Sequence, residues 1–222
     1  MLWKWKIQLD KSIIQYRIAE NNKVKHVVLI DQNSVNKSFS IIFYLNRYAQ
    51  LDLELLVLNT DADIKITCVL EGEGAHASVR GAYSLAQSHK VNIETMLHHQ
   101  APHSTTKLLM KGVLYESAQS HYTGTIRIEQ NASGVNASQE NKNIVLSDNA
   151  RAVSIPNLEV LNNEVKCFHG SAVGRFDDEQ LFYAASRGID EKRAQKILLA
   201  AFFADLFDGC FAKRLLSQLK MY

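Results

Sequence analysis

The chain has 222 residues, 46% of them hydrophobic and 22% charged, which is the composition of a globular protein long enough to bury a real core. Its formal net charge is only +2 and its 25 Lys and Arg are scattered, which argues against a nucleic-acid partner and against steering by bulk charge. Three cysteines, Cys68, Cys167 and Cys210, lie far apart and are odd in number, as suits a reducing, cytoplasmic location better than a disulfide framework.

In the N-terminal MLWKWKIQLDKSIIQYR, lysines interrupt every short apolar run, so there is no signal-peptide core. No later stretch approaches the roughly 20 apolar residues of a membrane span, and no membrane association is expected. Residues 1–24 are read as an N-terminal segment ahead of the first strand. Three Asn-x-Ser sequons, at Asn36, Asn131 and Asn136, are read as incidental in an Asn- and Ser-rich chain without an export signal.

Residues 25–175 show short runs of period 2 separated by polar punctuation. In ADIKITCVL (62–70), Ile64, Ile66, Cys68 and Leu70 share one face while Asp63, Lys65 and Thr67 share the other, the alternation of a strand. Similar runs recur, among them KHVVLI (25–30), LDLELLVL (51–58), VNIETML (91–97), YTGTIRIE (122–129), KNIVLS (142–147), LEVL (158–161) and VKCFH (165–169). No helical period interrupts them, which excludes a doubly wound sheet with crossover helices. Asn-Gly and Asp-Gly hairpin signals are missing between the runs, and NASGVNASQENKNIVLSDN (131–149) has the Asn and Ser that suit corners and side-chain ladders of stacked coils. The predicted fold class is therefore mainly β, a parallel β-solenoid.

Residues 176–222 change period. Asp177 is a candidate N-cap with Gln180 placed to reach back, and Gly188 closes a helix at about 178–187. Asp190 caps a second helix, EKRAQKILLAAFFADLF, followed by a break at Asp208-Gly209 and a further turn or two through Lys220. Leu199, Phe202 and Phe203 widen its apolar surface beyond one stripe, which points to partner docking.

Few residues offer chemistry. LEGEGAHASVRG (70–81) has Gly-x-Gly without the third glycine or a following helix, so no dinucleotide site is supported, and neither a serine elbow nor a phosphate-cradling loop occurs. His98, His99 and His103 surround Pro102 in a β-patterned region and are read as a polar corner rather than a helical zinc pair. Cys167 and His169 share strand parity, so both side chains leave one face with Cα atoms about 6.6 Å apart. A thiolate and an imidazole are ligands for zinc, copper or iron, yet two donors complete no tetrahedral site. Taken alone, the pair reads either as half of a shared metal site or as a small buried hydrophobe beside a satisfied histidine.

The run PNLEVLNNEVKCFHGSAVGRFDDEQLFYAASRGIDEKRAQKILLAAFFADLF (156–207) resembles the SufB/SufD family of iron-sulfur cluster assembly proteins. The shared elements are Pro-x-Leu-Glu-hydrophobic, Val-x-Cys-x-His-Gly, Val-Gly-Arg-hydrophobic-Asp, Glu-Gln-hydrophobic-Phe-Tyr and Ser-Arg-Gly-Ile. LEGEGAHA and LHHQAPHSTTKLLMKGVLYESAQSHYTGTIRI resemble the same family's β region more diffusely, so the likeness spans roughly residues 50–210. It is to SufD rather than SufB: Asn141 stands where SufB carries a scaffold cysteine, and His169-Gly170-Ser171 where SufB has His-Glu-Ala.

The resemblance implies a right-handed parallel β-helix followed by C-terminal helices, in a non-enzymatic subunit. It would pair through the β-helix with a SufB-type scaffold or with itself, and would hold a SufC-type ABC ATPase on its helical region, through Phe182, Tyr183, Arg187, Gly188, Ile189, Leu199 and Phe203. Cys167 and His169 would then lie at the subunit interface, with the missing ligands coming from the partner. No cofactor is expected to stay bound to the chain alone, and iron or a nascent iron-sulfur cluster is expected only in the complex. The family usually has a helical domain before the β-helix, where only about 24 residues stand here, so the chain is read as a truncated or minimal member; the family also usually has Asp where this chain has Glu164, which keeps the charge but changes the reach. The rival readings are a secreted-type β-helix enzyme acting on polysaccharide, for which Asp52 and Glu54 are the nearest acidic pair, and a degenerate member that only bridges its partners.

Overall fold

The computed structural model describes residues 3–4, 13–35, 37–207 and 210–218. The sequon at Asn36, the break at Asp208-Gly209 and the end at Lys220 lie outside them. Among the described residues, thirteen strands alternate between two parallel sheets that wind into a β-solenoid. One sheet holds β1 (Trp3–Lys4), β3 (Lys23–Ile30), β5 (Gln50–Leu58), β7 (His76–Leu85), β9 (Thr105–Leu114), β11 (Asn136–Val145) and β13 (Lys166–Gly174). The other holds β2 (Ile13–Ile18), β4 (Ser38–Leu45), β6 (Ala62–Leu70), β8 (Lys90–His99), β10 (Gln119–Ile128) and β12 (Arg151–Val160). Three helices follow, α1 (Asp178–Ser186), α2 (Glu191–Phe203) and α3 (Cys210–Gln218).

The solenoid begins earlier than residue 25. Ile14, Tyr16 and Ile18 of β2 continue the inward alternation and sit in register with Ile41, Phe43 and Leu45 of β4. In the segment NASGV–NKNIV the strand expected from residue 142 begins already at Asn136, so that Asn136–Val145 is a full strand and its Asn and Gln lie in the stacked ladders. Asn, Gln and Ser are poor strand formers, and here the ladders on both sides, to β9 and β13, override the propensity.

In-register stacking turns strand alternation into columns of side chains. One inward column runs Leu53, Val79, Leu108, Gln139, His169, and the next runs Leu51, Ala77, Thr106, Ala137, Cys167. On the other sheet Phe43, Cys68, Leu97, Ile126 and Leu158 stack in the same manner. Cys68 is fully buried there, and burial pushes its thiol up to about 12, so it acts as a small hydrophobe. Where a large side chain needs the bore, glycine yields it: a Cβ on Gly112 would collide with the Tyr83 ring.

One corner of each turn is a single left-handed residue, in succession Asn21, Tyr48, Gly74, His103 and Gly134. The amide of each donates to the next turn, for example His103 N to Ser133 O at 2.8 Å and Gly134 N to Glu164 O at 2.8 Å. Corners of this kind let turns differ in length, with Gln50 opposite His76 but Gln119 opposite Arg151.

Of the C-terminal helices, α2 and α3 lie on the outer face of the β3–β11 sheet. Leu199, Phe203, Leu206, Phe207 and Leu215 pack against Leu56, Leu58, Ala82, Val113 and Tyr115. The Lys111 ammonium fastens them, donating to Phe202 O and Asp205 Oδ1, both at 2.6 Å. Both Asp caps form, Asp177 accepting from Glu179 N and Asp190 from Arg193 N, and Gly188 adopts φ 76° beyond α1.

Candidate functional site

Two features set β12 and β13 apart from the turns beneath them. Both are the last strands of their sheets, so one edge of each carries no strand partner among the described residues. Their side chains are also far more exposed, including Val153, Ile155, Leu158, Val160, Phe168 and Val173. Leu158, Val160 and Val173 continue the inward columns, so the apolar bore of the solenoid is open at this end.

Cys167 and His169 stand on this turn. Both point along the inward columns, above Ala137 and Gln139, as their shared parity requires. Cys167 is half-buried against the core and His169 is exposed. Burial raises the Cys167 thiol above its ordinary value. Among the described residues no group of three or more His, Cys, Asp or Glu converges to hold a metal ion. The pair offers two side chains of ligand type on one face, and a tetrahedral ion would need further donors from elsewhere.

Beneath them the bore changes character. Tyr83, Asn141 and Asn143 form a buried network in which Tyr83 OH donates to Asn143 Oδ1, Asn143 Nδ2 donates to Asn141 Oδ1 at 2.8 Å, and Asn141 Nδ2 donates to Met110 O at 3.4 Å. Tyr122 and Thr95 share a hydroxyl pair at 2.8 Å. Burial raises both tyrosine hydroxyls' pKa, so they stay protonated donors. Gln139 is 0% exposed, and neither its Nε2 nor its Oε1 has a partner. Asn141 is at 1% exposure and engaged on both side-chain polar atoms, so it is a structural amide.

The other candidates resolve into structure. His99 is buried and bonded on both nitrogens, to Ser104 Oγ at 2.8 Å and Thr106 Oγ1 at 2.9 Å. Ser104 Oγ donates its hydrogen to Ala101 O, so it accepts from His99 Nδ1–H, and Nε2 accepts from Thr106. Burial lowers the His99 pKa to about 4, which keeps the ring neutral. His98 turns outward to Glu129 at 2.7 Å and His103 is a corner residue. Asp52 and Glu54 are both held by Arg80, and Glu54 also by Lys25 at 2.8 Å, so the acidic pair is an ion-pair network on the outer face.

The helical candidates divide. Phe182 and Tyr183 are 76% and 61% exposed, Arg187 lies 5.2 Å over the Tyr183 ring, and Ile189 is half-buried. A groove of about 420 Å³ runs between α1 and α2, lined by Tyr183, Arg187, Ile189, Ile197 and Leu198 among others. Leu199 and Phe203 correct the expectation of a docking surface. They are 2% and 3% exposed because α2 turns them onto the chain's own sheet, where the apolar faces of β5, β7 and β9 cover them. Gln139 was missed by composition, although its signal was present: Ala137, Gln139, Asn141 and Asn143 alternate with period 2.

Residues 6–202 match the family described as SUF system FeS cluster assembly, SufBD core domain. An iron-sulfur cluster assembly SufBD family protein of Mycobacterium tuberculosis is 36% identical over 143 residues, covering 61% of this chain and 36% of its own length. The iron-sulfur cluster assembly protein SufD of Escherichia coli is 30% identical over 140 residues, 63% of this chain and 33% of its own. SufD of Bacillus subtilis is 29% identical over 207 residues, 87% of this chain and 47% of its own. The chain thus spans about a third to a half of the length of these relatives.

Proposed function

Since the chain belongs to the SufBD core family of the SUF iron-sulfur cluster assembly system, we propose that it is a SufD-like assembly subunit that presents Cys167 and His169 to a partner across the open end of its solenoid. The partner is a SufB-type scaffold or a second copy of this chain, and it covers the edges of β12 and β13 and the apolar side chains around them. Iron or a nascent cluster is the cargo, held between Cys167, His169 and donors of the partner. The observation that carries this reading is the placement of both donors on the last turn, whose strand edges have no strand partner among the described residues and whose inward side chains are exposed.

The SufC-type ATPase docks on α1 and the α1–α2 groove, through Phe182, Tyr183, Arg187, Gly188 and Ile189. These residues are available because α2 and α3, and not α1, provide the packing against the sheet: α1 buries none of its residues. The chain itself performs no covalent chemistry in this scheme. It positions donors and couples the ATPase to them.

The test is anaerobic co-purification with a SufB-type scaffold and a SufC-type ATPase, followed by iron and sulfide quantification. Cys167→Ala combined with His169→Ala is expected to reduce iron and sulfide per complex while all three subunits still co-purify. Undiminished iron and sulfide in the double variant would refute the role of the pair. Phe182→Ala with Tyr183→Ala is expected to release the ATPase and leave the scaffold bound.

A further inference from the structure

Gln139 has no structural explanation of the kind that its neighbours have. Asn141 and Asn143 bond each other, Tyr83 and Met110 O, so the polar bore around them is satisfied. Gln139 occupies a column whose earlier members are Leu53, Val79 and Leu108, and a leucine would continue it. Instead it buries a carboxamide whose two polar atoms have no partner, an arrangement that costs stability on the order of 1–3 kcal/mol. Gly124 makes the space for it, since a Cβ there would collide with Gln139 Nε2 and with Tyr122 OH.

The next member of the column is His169, the in-register partner of Gln139 on β13. Adjacent strands are about 4.8 Å apart and both side chains point inward, so the amide lies one layer behind the imidazole. His169 is exposed on its other side. An imidazole that ligates metal through one nitrogen is ordinarily oriented through the other by a hydrogen-bonding group behind it. A carboxamide holds both a donor and an acceptor and can serve either tautomer.

We propose that Gln139 is a positioning residue of the cargo site, whose carboxamide turns to bond the inner nitrogen of His169 when the outer nitrogen takes iron. The inference rests on the reading of Cys167 and His169 given above. Gln139 touches neither iron nor partner. It sets the ring's tautomer and orientation from inside the solenoid, in a place that solvent does not reach.

The experiment compares Gln139→Met, Gln139→Leu, His169→Ala and the Gln139→Met/His169→Ala double variant, each in the complete anaerobic complex loaded with iron and sulfide. The readouts are the rate of iron loss to a chelator and the thermal midpoint of the free chain. Both Gln139 variants are expected to hold or raise the midpoint, because an unpartnered amide leaves the core, and to lose iron at least about tenfold faster. In the His169→Ala background the Gln139→Met change is expected to add nothing, because there is no ring left to orient. Iron loss unaltered by either Gln139 variant, or accelerated equally with and without His169, overturns the proposal while leaving the site reading in place. Silence of His169→Ala as well would remove both.

Discussion

The turns from β3 to β8 and the final turn of β12 and β13 share one backbone plan but carry opposite interiors. In the first, the inward columns are mostly Leu, Ile, Val, Phe and Ala at almost no exposure, and each strand is paired on both sides. In the last, the same columns end in His169, Cys167, Ser171 and Ser154, with Leu158 and Val160 half open to solvent. The strands between them, β9 to β11, carry the Asn141, Asn143 and Gln139 amides and the Tyr122 hydroxyl, and Tyr83 of β7 bonds into this network. A solenoid adds stability turn by turn from nearest neighbours. The covered turns therefore hold the fold, and the terminal turn is free to carry groups that a packed core would reject.

The largest expected contrast is in core truncation within a single pair of columns. Leu53→Ala removes a fully buried side chain with neighbours above and below, and should cost about 3 kcal/mol. Val173→Ala, at 48% exposure on the open turn, should cost well under about 1 kcal/mol. Chemical denaturation of the two variants measures both. Similar losses would mean that the last turn is as tightly packed as the rest, and the contrast would collapse.

Acid sharpens the boundary between the two interiors. His99 lies where the apolar column Leu45, Leu70 gives way, and its folded pKa of about 4 is below the ordinary value of about 6.5. Between those values the unfolded chain binds a proton that the folded chain refuses. Stability from neutral His99 is thus complete above about pH 6.5 and is lost as pH falls through 4. From pH 6.5 to 5 the loss should be about 2 kcal/mol, at 1.36 kcal/mol per unit. His99→Leu should flatten the denaturation free energy across that window, whatever it does to the baseline. A slope that survives the substitution would assign the acid response to other groups, His76 among them, whose pKa burial also lowers.

Much of this division was legible in the chain. Period-2 alternation in ADIKITCVL reports a strand because a covered turn needs an unbroken apolar face, and the Cys-x-His parity put both donors on one side before any fold was known. The motif run from Pro156 to Phe207 carried the family. Polar strands were harder, since Asn136–Val145 buries Gln and Asn inward and so reads as a loop by propensity alone. Partnership of α2 was illegible for a different reason. Its wide apolar face says that something covers Leu199 and Phe203, while only the outer columns of β5, β7 and β9, with Lys111 bonded to Phe202 O, decide that the cover is the chain's own sheet.

The smallest effect on the isolated chain should come with a large effect on assembly. Phe168 points outward from β13, 56% exposed, beside the unpartnered strand edge. Phe168→Asp removes little packing, so the thermal midpoint of the free chain should move by less than about 0.5 kcal/mol equivalent. If a partner covers this edge, the same carboxylate is forced into an apolar contact without a counter-ion, and burying an unpaired charge costs several kcal/mol. Pull-down with a SufB-type scaffold, and sedimentation of the chain alone, should both lose the paired species while ATPase binding through α1 persists. Pairing that withstands Phe168→Asp would place the contact on another face of the solenoid, and the open turn would then be an end rather than an interface.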